Sequence, residues 1–80
     1  MENKLAVLAI IVDKAEVVDK VNALLHDFRN SIVGRMGLPY RQKNVNIISV
    51  VLDASSEEIN SLSGKLGMIN GVSSKVLTAK

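Results

Sequence analysis

The chain contains no cysteine and no tryptophan, and only one proline, one phenylalanine and one tyrosine among its 80 residues. Without cysteine there is no disulfide framework, no thiolate metal site and no cysteine nucleophile. With aromatic residues at 2% of the composition, the core must be built from Val, Ile, Leu and Ala. RNA recognition on a sheet needs aromatics on central strands to stack bases, and Phe28 and Tyr40 fall outside the two most apolar runs. Clustered charge is missing as well. Ten Lys and Arg stand against eight Asp and Glu, and although the pI is near 9.2, the charges are scattered. That describes a mixed solvated surface and speaks against direct nucleic-acid binding. The first apolar run ends at Asp13, too short for a membrane span and without a signal-peptide cleavage pattern. The expectation is a soluble, cytoplasmic protein with no membrane partner.

Aliphatic residues are what the chain has in excess. A hydrophobic content of 48% is high for a chain whose length allows one domain, residues 1–80. Such richness points to burial against another chain. The organising stretch is residues 44–53, which as a strand puts Val45, Ile47 and Val51 on one face and Ile48, Val50 and Leu52 on the other. Neither face is made for water, so this strand is central. Residues 4–12 repeat the pattern, with Leu5, Val7 and Ile11 opposite Leu8, Ile10 and Val12.

Between them Asp13 offers a helix N-cap, with Glu16 three residues on in capping-box position. Val17, Val18, Val21, Leu24, Leu25 and Phe28 then form one apolar stripe, and the helix should end at Asn30 or Ser31. Residues 31–38 are strand-like but interrupted by Gly34, Arg35 and Gly37, with Pro39 following, which marks an edge strand. Residues 40–43 make a polar connection. Ser55 and Glu58 give a second capping box, followed by a helix burying Ile59, Leu62 and Leu66 and stopped by Gly67 as a left-handed residue. Residues 68–71 form a turn, and residues 72–78 alternate as an outer strand.

The order β-α-β-β-α-β, most apolar in its first and third strands, predicts an α+β, ferredoxin-like sandwich: a four-stranded antiparallel sheet with two helices on one face. The uncovered face would show about six large aliphatic side chains, and hiding them is worth on the order of 10 kcal/mol. A homo-oligomer, dimer or tetramer, is the simplest cover.

Few residues suggest chemistry. His26 projects opposite the apolar stripe; it reads as a solvated histidine, or as a ligand between subunits. Arg35, Tyr40 and Arg41 surround the hairpin and together suit a carboxylate or phosphate, though they would be equally ordinary at an oligomer interface. The G-x-x-G of Gly64 and Gly67 matches the clamp of KH domains, but helix termination is the preferred reading. Met36 and Met68 are read as filler. No catalytic residue, cofactor or metal site is expected.

Three segments carry a resemblance: Val21-Asn22-x-Leu24-Leu25-His26, Arg35-x-Gly37-x-Pro39, and Leu62-Ser63-Gly64-Lys65-Leu66-Gly67-x-Ile69-x-Gly71-Val72. Together they resemble the small family of iron-only hydrogenase system regulators. The resemblance implies an ACT-like domain, related in shape to the C-terminal regulatory domain of nickel-responsive repressors, assembling as a homo-oligomer. Those repressors bind nickel through histidines and a cysteine around their second and third strands; residues 32–48 here contain neither type. They also carry an N-terminal DNA-binding segment, whereas this sequence starts at the first sheet strand, so regulation of transcription would need a partner protein. ACT-like domains bind ligands where a helix end and a sheet edge of adjacent chains meet, which directs attention to residues 13–16 and 35–41. The implied function is a non-enzymatic regulatory or ligand-sensing module, with a small-molecule or anionic ligand at a subunit interface. Its alternatives are a ligand-free protein–protein adaptor and, behind that, a nucleic-acid-binding module.

Overall fold

The structure, a computed structural model, describes residues 2–79. Its main elements are β1 (Lys4–Val12), α1 (Val18–Asp27), β2 (Ile32–Tyr40), β3 (Val45–Ala54), α2 (Ser56–Gly67) and β4 (Val72–Thr78), joined in part by short 3-10 turns. The sheet order is β2-β3-β1-β4, and every neighbouring pair is antiparallel. The two runs without a polar face occupy the centre, and the strands broken by Gly, Arg, Ser and Lys lie at the edges. This is the ferredoxin-like, ACT-like arrangement expected from the sequence.

Strand alternation sorts the central residues. Ala6, Leu8, Ile10 and Val12 of β1 and Ile48, Val50 and Leu52 of β3 are buried beneath the helices. Val21 and Leu25 of α1 and Ile59, Leu62 and Leu66 of α2 close the same core. Each fully buried side chain of this size contributes ~1.5–3 kcal/mol, and among the described residues the core contains no buried polar side chain.

The helix ends differ from the expectation in instructive ways. Asp13 does not cap α1: the chain enters through a 3-10 turn at Ala15–Val17 with no side-chain cap, and the Asp13 N–H donates to the Gly71 carbonyl at 2.9 Å. Its backbone is tied to the turn just before β4, and Lys14 after it is extended, φ −128° and ψ 115°. At α2 the cap holds, the Glu58 N–H donating to Ser55 Oγ at 3.2 Å. The Glu58 carboxylate, however, accepts from Ser31 Oγ at 2.7 Å, linking α2 to the start of β2. Gly67 is the last residue of α2 and Met68, in right-handed helical conformation, follows it. The left-handed glycine is Gly71, φ 95°, four residues later in the turn. Strand β2 runs through Pro39, which pairs with Asn46; at an edge, the missing N–H costs no ladder bond on the outer side. A register shift between Ile32 and Gly34 bends the start of that strand.

The second sheet face carries no helix. Three of its cross-strand rows span all four strands: Leu38, Ile47, Ile11 and Ser73; Met36, Ser49, Ala9 and Lys75; Gly34, Val51, Val7 and Leu77; shorter pairs, Tyr40 with Val45 and Leu5 with Asp53, flank them. Leu38 is 56% exposed and Leu77 74%.

Candidate functional site

A ligand recess needs concavity and polar groups, and the fold supplies both where β1 leaves the sheet. The β1–α1 connection and the end of the β2–β3 hairpin meet there, around an open cleft of about 330 Å³. Asp13, Lys14 and Glu16 line it from one side, Tyr40, Arg41 and Asn46 from the other. Both signs of charge are present: Arg41 lies across the cleft from Asp13 and Glu16, with Lys14 on the carboxylates' own side. The hairpin is shaped locally for this: β2 ends at Tyr40, Arg41–Lys43 form a single 3-10 turn, and Asn44 closes it with φ 54° in the left-handed region, a conformation that asparagine adopts more readily than most residues.

Tyr40 and Arg41 thus share the cleft with residues 13–16. Arg35 is elsewhere. It lies on the helix side of β2, opposite Val50, and its Nη2 donates to Asn22 Oδ1 of α1 at 2.8 Å. With Asn22 and Val18 it lines a second recess of about 220 Å³. Pro39 and Asn46 line both recesses, so the two adjoin. His26 belongs to neither: it is exposed in the last turn of α1, where its carbonyl accepts from Arg29 Nη1 at 3.0 Å. Three of the four candidates therefore lie around one corner of the molecule, and the histidine does not.

The sequence reading missed Asn22 and Asn46. Asn22 is the residue that holds the Arg35 guanidinium in place, and it stands off the apolar stripe of α1. Asn46 is a polar residue near the start of an otherwise apolar strand, a signal that was available. Among the described residues there is no group of three or more His, Asp or Glu close enough to hold a metal ion. No helix among them is long and apolar enough to cross a membrane.

Comparison with known proteins bears on the whole chain. A search of curated proteins finds no match. The solved structure of TM1266 from Thermotoga maritima, an uncharacterized protein, has a TM-score of 0.95 to this chain at 41% sequence identity, covering 99% of this chain and 100% of that one. A formyltetrahydrofolate deformylase from Pseudomonas putida KT2440 has a TM-score of 0.60 at 15% identity, covering 92% of this chain and 28% of the enzyme, which shows a shared fold alone. The TM1266-like family model, described as "Iron-only hydrogenase system regulator, putative", matches residues 4–76. At that extent the chain belongs to the TM1266-like family of iron-only hydrogenase system regulators.

Proposed function

We propose that this protein is a non-enzymatic regulatory module of an iron-only hydrogenase system, working as a homo-oligomer that senses a small charged ligand. The observation that carries the ligand reading is the cleft between residues 13–16 and the hairpin, where Lys14 and Arg41 stand near Asp13 and Glu16. A site lined by both signs suits a zwitterion, with Arg41 and Tyr40 taking the carboxylate and Asp13 or Glu16 the ammonium group. An amino acid is the simplest compound of that class.

The cleft is also placed to report occupancy. Asp13 is hydrogen-bonded to Gly71 at the head of β4, so a ligand that pulls on residues 13–16 acts directly on an edge strand. The family description supports a regulatory setting, and an exposed apolar sheet face supports self-association.

The test is a thermal-shift screen of the purified protein against each of the common amino acids and against inorganic phosphate, at millimolar concentration. Stabilisation by an amino acid, lost in Arg41→Ala, is the expected result. A response to phosphate alone would reassign the site to simple anions. No stabilisation by any of these compounds overturns the ligand reading.

A further inference from the structure

The accessible surface of the chain is 5542 Å², whereas a folded monomer of 8.6 kDa is expected to show about 4,700 Å². Part of the excess follows from the elongated shape, 41 × 19 × 18 Å, and part from exposed aliphatic side chains of the kind that a standard interface, about 800 Å² per partner, covers. The helix-free sheet face is where exposed aliphatic surface concentrates, and its rows specify how a self-complementary cover would sit.

We propose that a second copy of this chain covers that face, sheet on sheet, about a two-fold axis lying between the layers and parallel to β1 and β3. The proposal rests on the self-association in the reading above and adds its surface and its symmetry. About this axis β1 lies over β3 of the second copy and β2 over its β4. Ile11 then meets Ile47 and Val7 meets Val51, with small Ala9 and Ser49 between them, so the layers close to the usual ~10 Å. Large meets small at the corners. Leu77 stands over Gly34, where an added Cβ would find nothing within 4 Å in the monomer, and Leu38 stands over Ser73. Met36 covers the stem of Lys75 and leaves its ammonium at the rim. The usual rotation of about 30° between stacked sheets preserves the central contacts and shifts the edge ones by a few ångströms, within reach of the Leu77, Met36 and Lys75 side chains.

Lys75 decides between the two possible in-plane axes. A two-fold perpendicular to the strands also sets large against small at the corners, but it stacks Lys75 on Lys75 and Met36 on Met36. Like charges facing each other across an apolar layer disfavour that packing. The parallel axis separates them by the full width of the sheet.

Sedimentation equilibrium of the full chain reads the association, and circular dichroism reads the fold. The wild type should be a dimer, or a tetramer built from it. Ile47→Lys should keep its fold and weaken association at least a hundredfold. Gly34→Leu adds apolar surface at a position where the new Cβ meets nothing of its own chain within 4 Å, yet it should weaken association at least tenfold because it collides with Leu77 of the second copy. This second variant decides the matter if Ile47→Lys fails to fold. The axis is read separately, since the chain has no cysteine: a short bismaleimide should couple Met36→Cys protein to Lys75→Cys protein in a mixture, and neither variant alone. A monomeric wild type overturns both self-association and this interface. An oligomer indifferent to Gly34→Leu overturns the interface and leaves self-association standing. Coupling of Met36→Cys protein to itself overturns the parallel axis.

Discussion

Gly71 and Gly67 stand four positions apart in sequence and have opposite requirements. A side chain at Gly71 would have to accept φ 95°, and its Cβ would come within 2.8 Å of the Lys14 stem. Gly71→Ala should therefore destabilise the fold by about 1–3 kcal/mol. Adding Lys14→Ala should recover only part of that, because it removes the collision and leaves the backbone strain. Gly67 is helical with open space around its Cα, so Gly67→Ala should stabilise by about 0.5–1 kcal/mol. Urea denaturation of the three variants checks both signs. The sequence marked Gly67 as the helix stop because glycine after a periodic run usually is one. What it could not reveal was that Met68 continues in helical conformation and that the left-handed position falls after Asn70, where Lys14 approaches from the other end of the chain.

Among the elements, strands were easier to read than helix entrances. β1 and β4 begin and end where alternation and composition place them, because a strand buried on one or both faces leaves a pattern at every residue. The entrance to α1 misled for a long-range reason: Asp13 has the chemistry of a cap, but its N–H is held by the carbonyl of Gly71, at the far end of the sequence, and the helix begins only after a 3-10 turn. Replacing the two presumptive caps separates them. Ser55→Ala should cost about 1 kcal/mol, while Asp13→Ala should change stability by no more than about 0.5 kcal/mol. The faces of β3 give a sharper contrast. Ile48 is 4% exposed beneath the helices, so Ile48→Lys should leave no cooperative unfolding transition by circular dichroism, an uncompensated buried charge being more than a small domain tolerates. The candidate cleft was half legible. Tyr40 and Arg41 stood out at the hairpin and residues 13–16 through the family resemblance, but their meeting depends on β1 and β3 lying side by side, and the Arg35–Asn22 hydrogen bond depends on how α1 crosses β2.

The whole molecule is a two-layer sandwich with one layer unfinished. If association completes it, stability belongs to the oligomer, and the melting temperature should rise with protein concentration over the range where dimers form. Differential scanning calorimetry across a hundredfold dilution series measures this; a constant melting temperature together with a monomer mass would remove the oligomer from the account. Strand order also has a bearing on how the protein comes into being. β1 is made first, yet one of its flanks is supplied by β4, and the Leu5 carbonyl is finally matched by the Ala79 N–H at 2.9 Å. Until β4 has been made, then, a nine-residue run of almost pure aliphatic character waits with one edge open. Such segments are the ones that recruit neighbouring nascent chains. Lys4 and Asp13, the charges that bracket the run, are its gatekeepers during that interval.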